Sequence, residues 1–214
     1  MSKIKVSAFS ISIDGFGAGL NQDLQNPLGI KGTDVHTWIY ATKTFHKMIG
    51  KEGGEEGIDN SLISKIFENT GSYIMGRNMF GPVRGAWIND EWNGWWGEEP
   101  PFHAPVFVLT HHKRAPLVMK GGTTFYFITE GIEYAVEQAK KAAGTKNINI
   151  SGGVSTIRQM LQAGLIDEMH LALSSVFLGD GENLFAGINI PSLGFTKTER
   201  IVGENATHFI ISKQ

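Results

Sequence analysis

The chain contains no cysteine. That removes disulfides, thiolate metal ligands and cysteine nucleophiles together. Charge of one sign is also scarce: 19 Lys and Arg stand against 21 Asp and Glu, giving a formal net charge of −2 at pH 7 and a pI near 6.4. Without a basic field, nucleic acid is a poor partner. No apolar run approaches the roughly 18 residues that span a bilayer, so no membrane partner is expected. The start, Met1-Ser-Lys-Ile-Lys-Val6, enters a strand pattern directly, with no charged segment leading into an apolar one. No signal peptide is therefore expected, and the cytoplasm is the expected location. Internal repeats, a G-x-S-x-G nucleophile elbow and a Walker lysine motif are all missing.

What is present is enough apolar material for a sizeable core, 41% of 214 residues, and 27 glycines that gather at turns. Lys3–Ile13 alternates and reads as a first strand. The glycine loop Asp14–Gly19 lacks the immediate helix of a dinucleotide fingerprint, so it reads as a mobile loop bordering a site. Thr33–Ile49 reads as one helix capped by Thr33 or Asp34, and Asp59–Asn69 as a second capped by Asp59 or Asn60. Residues 81–105 form a long loop crowded with Trp87, Trp92, Trp95 and Trp96, which pack on the domain body, a ligand or a second subunit. Strands and helices alternate to about Val176, and Phe195–Val202 with Ala206–Ser212 closes the chain as a hairpin. The expected fold is a single α/β domain over residues 1–214. It is three-layer α/β/α, with a mainly parallel sheet that is antiparallel at one edge.

Three places carry chemistry. Ile148-Asn-Ile-Ser-Gly-Gly-Val-Ser-Thr156 reads as a buried strand running through Gly152 and Gly153 into a helix. Free N–H groups of Gly153 and Val154, with the hydroxyls of Ser155 and Thr156, suit an anion, most often phosphate. A tight turn without a ligand fits the same residues. A second such turn, Met75-Gly76-Arg77-Asn78, puts a guanidinium where it can fork onto a phosphate, or where it is a plain surface cation. Thr110-His111-His112-Lys113-Arg114 ends a buried strand and reads either as a site for an extra phosphate or as a solvated basic turn. Asp34, near Trp38, is either an acid with a raised pKa that protonates a substrate or an N-cap.

With those residues in view, the chain resembles the dihydrofolate reductase-like superfamily, and within it the reductase domain of the riboflavin-biosynthesis deaminase-reductases. The segments that carry the likeness are Ser10–Gly15, Tyr73–Phe80, Val106–His111, Ser151–Thr156, Leu165–Leu171 and Phe177–Phe185, in family order across nearly the whole chain. The resemblance implies NADPH as cofactor, with a phosphate at Gly76, Arg77 and Asn78, the adenosine 2′-phosphate near Thr110 and His111, and the pyrophosphate at Gly152–Thr156. It implies hydride transfer to a C=N bond or imine-equivalent of a pyrimidine- or pteridine-like heterocycle, without a deaminase half. Asp34 falls where the folate enzymes carry their acid. Dihydrofolate reduction is the alternative activity, and a non-catalytic nucleotide-binding dimeric domain is the alternative from another class. A homodimer is expected from the resemblance and from the apolar strand Met169–Val176. The Lys51–Asp59 insertion and the tryptophan-rich Gly85–Pro101 loop depart from the family pattern at the substrate side.

Overall fold

The computed structural model describes residues 2–88 and 91–213. Eleven strands form: β1 Ile4–Ile11, β2 Phe16–Ala18, β3 Thr70–Gly76, β4 Pro105–Leu109, β5 Leu117–Val118, β6 Thr124–Ile128, β7 Asn147–Gly152, β8 Glu168–Ser174, β9 Glu182–Asn183, β10 Phe195–Val202 and β11 Ala206–Lys213. Nine make one sheet in the order β10-β11-β8-β1-β7-β3-β4-β6-β5, and β2 pairs with β9. The six strands from β8 to β6 are parallel. Antiparallel pairing occurs at both outer edges: the expected hairpin on one side and the short β5 on the other.

Alternation along the central strands sorts side chains into two layers. Ile74 and Phe107 join a cluster with Ala135, Val136 and Ala139 of helix α5 (Ile132–Ala143) and with Ile157 and Met160 of helix α6 (Val154–Gln162). Tyr73, Met75, Val106 and Val108 join the opposite cluster with Phe80, Phe102 and Phe125. Trp87, Trp92 and Trp96 pack against that second cluster. The tryptophan-rich loop therefore binds the domain body; residues 89–90 within it lie outside the described residues. The three-layer expectation holds.

Two expectations about helices do not. Thr33–Ile49 is broken into a 3-10 turn at Gly32–His36, helix α1 (Thr37–Tyr40) and helix α2 (Lys43–Met48). The cause is tertiary: the backbone around Ala41–Lys43 exchanges hydrogen bonds with Glu55 at 2.7 and 3.0 Å, and Thr42 caps α2 by accepting from the Phe45 N–H at 3.2 Å. Helix α3 (Ile58–Ser64) ends sooner than Asn69 and is capped from afar. The Glu204 carboxylate accepts the N–H groups of Ile58 and Asp59, both at 3.0 Å. Asp59 instead turns inward, where its buried carboxylate accepts from His208 Nε2 and the Asn205 N–H, both at 2.8 Å. The strand Met169–Val176, expected to serve a dimer, lies inside the sheet between β1 and β11. Both of its backbone edges are therefore paired within the chain.

Candidate functional site

Parallel neighbours end on the same side of a sheet, and in open α/β sheets that rim is where ligands bind. Here Met75 of β3 is level with Gly152 of β7, and Gly76 with Leu109 of β4. Beyond these ends lies a cleft of about 1020 Å³. Gly76, Arg77, Asn78, Thr110, His111, Gly152, Gly153, Val154, Ser155 and Thr156, ten residues from three separate turns, all line it.

The two glycine turns meet each other. A Cβ on Gly76 would sit 2.4 Å from Thr156 Oγ1 and 3.7 Å from the Gly153 nitrogen, so only glycine lets the turns close up. Gly152 has φ 128°, a conformation that L side chains rarely adopt. Gly153 starts α6 without a side-chain cap; the Thr156 N–H turns back to the Gly153 carbonyl at 3.1 Å, which leaves the N–H groups of Val154 and Ser155 for a ligand. Gly17 of β2 presses onto the same place: its Cβ would stand 2.7 Å from Val154 Cγ2. The Asp14–Gly19 segment thus borders the site, as a short strand rather than an irregular loop.

Arg77 carries the strongest electrostatic signal. Its guanidinium carbon lies 3.3 Å from the centroid of the Trp87 ring. NH1 donates to the Gly85 carbonyl at 3.2 Å and to Thr110 Oγ1 at 3.4 Å. Nε and NH2 are buried and have no partner among the described residues. Loss of solvent, helped by repulsion from Arg114, pulls its pKa below the usual arginine value. A desolvated cation with two idle N–H donors is short of an anion. The helix it opens, α4 (Arg77–Phe80), is a single turn, so its dipole, unfavourable to a cation at that end, has a small effect. The cleft also holds a chain that sequence reading missed: Asn78 Nδ2 donates to Gln22 Oε1 at 3.4 Å, and Gln22 Nε2 to Glu182 Oε1 at 3.0 Å.

Asp34 is not brought to this cleft. The 3-10 turn buries Val35, and Trp38 follows with its Nε1 donating to Ser10 Oγ at 2.9 Å. That rotation leaves the Asp34 carboxylate exposed and capping nothing. His36, two residues on, lines the cleft instead. Burial pushes its pKa down to about 4, so the ring is neutral at pH 7, with Nδ1 donating to the Gly32 carbonyl at 3.4 Å. Glu182 is the one carboxylate lining the cleft among the described residues. No short-range pattern marks either group, since both are set by tertiary placement.

The model of the RibD C-terminal domain family matches residues 5–207. The uncharacterized protein YyaP of Bacillus subtilis (strain 168) is 30% identical over 95 residues, 42% of this chain and 50% of that protein. The match thus spans about half of that relative's length. A crystal structure of a Shewanella sp. PV-4 protein named for riboflavin biosynthesis superposes with TM-score 0.58 at 21% identity, covering 100% of this chain and 99% of that one. Dihydrofolate reductase from Enterococcus faecalis, complexed with NADP(H) and RAB-propyl, gives TM-score 0.52 at 12% identity over 98% of this chain and 95% of that one. These likenesses establish a common, dihydrofolate reductase-like fold. No helix among the described residues is long and apolar enough to cross a membrane.

Proposed function

The chain belongs to the RibD C-terminal domain family, and we propose that it is an NADPH-dependent reductase acting on a C=N bond or imine-equivalent of a pyrimidine- or pteridine-like heterocycle. The observation that carries this reading is the Arg77 guanidinium, held in the cleft wall with two buried N–H groups unpaired among the described residues, beside Gly76, where a Cβ would collide with the second glycine turn. These residues fit a dinucleotide with several phosphates. The Gly153–Thr156 turn receives the pyrophosphate on backbone N–H groups and hydroxyls. Arg77, with Asn78 beside it, neutralises a phosphate, and Thr110 and His111 at the end of β4 take the adenosine 2′-phosphate. When bound, the cofactor supplies a hydride. The chain's own part is to orient the reacting rings and to exclude water. No carboxylate acid at Asp34 is invoked; the proton comes from water or from a neutral cleft group.

NADPH oxidation followed at its absorbance maximum tests the reading, with dihydrofolate and an aminouracil ribosylamine as acceptors. Turnover of either heterocycle supports a reductase. Saturable NADPH binding with no turnover of any C=N acceptor would leave a nucleotide-binding domain.

A further inference from the structure

Beyond the turns that suit phosphates, the cleft changes character. One wall carries Ile39, Phe45 and Ile66 from the helical layer, and the other carries Trp95, Trp96 and Phe102 from the tryptophan-rich loop. Ring contacts join the two: Trp96 to Phe102 at 4.9 Å, Phe102 to Tyr73 at 5.0 Å, and Tyr73 to Phe67 at 6.4 Å. Both aromatic indoles are anchored, since Trp95 Nε1 and Trp96 Nε1 donate to the Met79 carbonyl at 2.7 and 3.2 Å.

Charge is distributed unevenly. Among the described residues no lysine lines the cleft. Its arginines, Arg77 and Arg84, follow the end of β3, and Arg77 bonds Gly85 and Thr110. On α2, Lys43 pairs with Glu56 and His46 Nδ1 meets the Glu52 carbonyl at 3.1 Å, both outside the cleft lining. Two polar rings in contact with aromatic neighbours, His36 beside Tyr40 and Tyr73 beside Phe102, stay neutral. Burial holds His36 at about 4 and lifts the Tyr73 phenol to about 12.

We propose that the substrate of this cleft is an uncharged, flat heterocycle bearing a C=N bond, with no phosphate or carboxylate tail. A phosphate seated between Phe102 and Ile66 would lose its hydration among apolar side chains. A flat ring gains buried area and edge or offset contacts with the aromatic run. The C=N carbon gains a hydride, the π pair moves to nitrogen, and nitrogen takes one proton from water. The products are the cyclic amine and the oxidised nicotinamide nucleotide. This inference rests on the reductase reading for the redox step, while the binding preference stands by itself.

The test is a titration of tryptophan fluorescence, to which Trp95 and Trp96 contribute with three other tryptophans, in cofactor-free protein. The probes are 3,4-dihydroisoquinoline, its 6-carboxylate, and a phosphorylated aminouracil ribosylamine, at mildly alkaline pH where the imine is unprotonated. The expected result is saturable binding of the uncharged imine, at least about tenfold tighter than either anion. Met48 lines the cleft and is 43% exposed, so Met48→Arg is tolerated by the fold. It is expected to weaken the neutral probe and to strengthen both anions. Tighter binding of an anion to the native protein, no saturable binding of any probe, or an unmoved preference in the Met48→Arg variant would overturn the proposal. Because these titrations contain no NADPH, a failure to bind NADPH defeats the reductase reading alone.

Discussion

Replacing Arg77 by alanine separates a ligand-binding cation from a structural one. In the free protein the side chain makes one close cation–π contact with Trp87 and two long hydrogen bonds. A cation–π contact contributes roughly 0.5–2 kcal/mol and each hydrogen bond about 1 kcal/mol. Against these stand two buried N–H groups without partners, each costing about 1–3 kcal/mol, and repulsion from Arg114. The opposing contributions are similar in size, so the free variant should keep its stability to within about 1 kcal/mol, read as a small change in a urea midpoint at constant m. Cofactor affinity should behave differently. A charge-assisted bond to phosphate is worth about 1.5–3 kcal/mol, which corresponds to a Kd for NADPH raised by roughly 10- to 150-fold. Calorimetric titration with NADPH measures it, and the loss should shrink as salt is raised. An unchanged Kd would refute the phosphate role. A free variant destabilised by several kcal/mol, with affinity intact after correction, would make Arg77 a structural residue.

Two further outcomes follow from the same geometry. Gly76→Ala pushes a methyl group into Thr156 Oγ1, 2.4 Å away, and should cost about 1–3 kcal/mol of stability and most NADPH binding. Adding Thr156→Ala removes that oxygen, and melting temperature should then recover in part, whereas no recovery would locate the strain elsewhere. His36 and His170 are both pushed down to about 4 by burial, from about 6.5 in an unfolded chain. Between these values the unfolded chain binds more protons, so their contribution is complete above about pH 6.5 and is lost as pH falls towards 4. The melting temperature should drop from pH 7 to pH 5, and His36→Gln should flatten that slope; an equal slope in the variant would show that His36 is not held neutral.

The rim of glycine turns was legible because its signals are local. Gly76 is a glycine for close approach and Gly152 for its backbone angle, whereas Gly153, with φ −73° and open space where a Cβ would stand, is required by neither; all three follow apolar strands whose ends fix the rim. The helical layer was not legible to the same degree. Thr33–Ile49 has an unbroken helical pattern, yet Glu55 breaks it by pairing with Ala41 and Lys43 from within the Lys51–Asp59 insertion. Asp59 has the residue type and position of a cap, but Glu204, 145 positions later, takes that role and frees Asp59 to pair with His208. Asp34 failed for a related reason, since a 3-10 turn spaces residues differently from an α-helix and turned His36 rather than Asp34 to the cleft. Long-range partners decide each of these, and a pattern read within a short window contains none of them.

Titration of the unmodified protein with NADPH and, in parallel, with NADH tests the central claim most directly. Saturable binding of NADPH, weaker binding of NADH, and a melting temperature that climbs with NADPH concentration are the predicted results. No saturable heat and no thermal shift at millimolar NADPH would contradict the assignment of the Gly76 and Gly152 turns to a reduced dinucleotide.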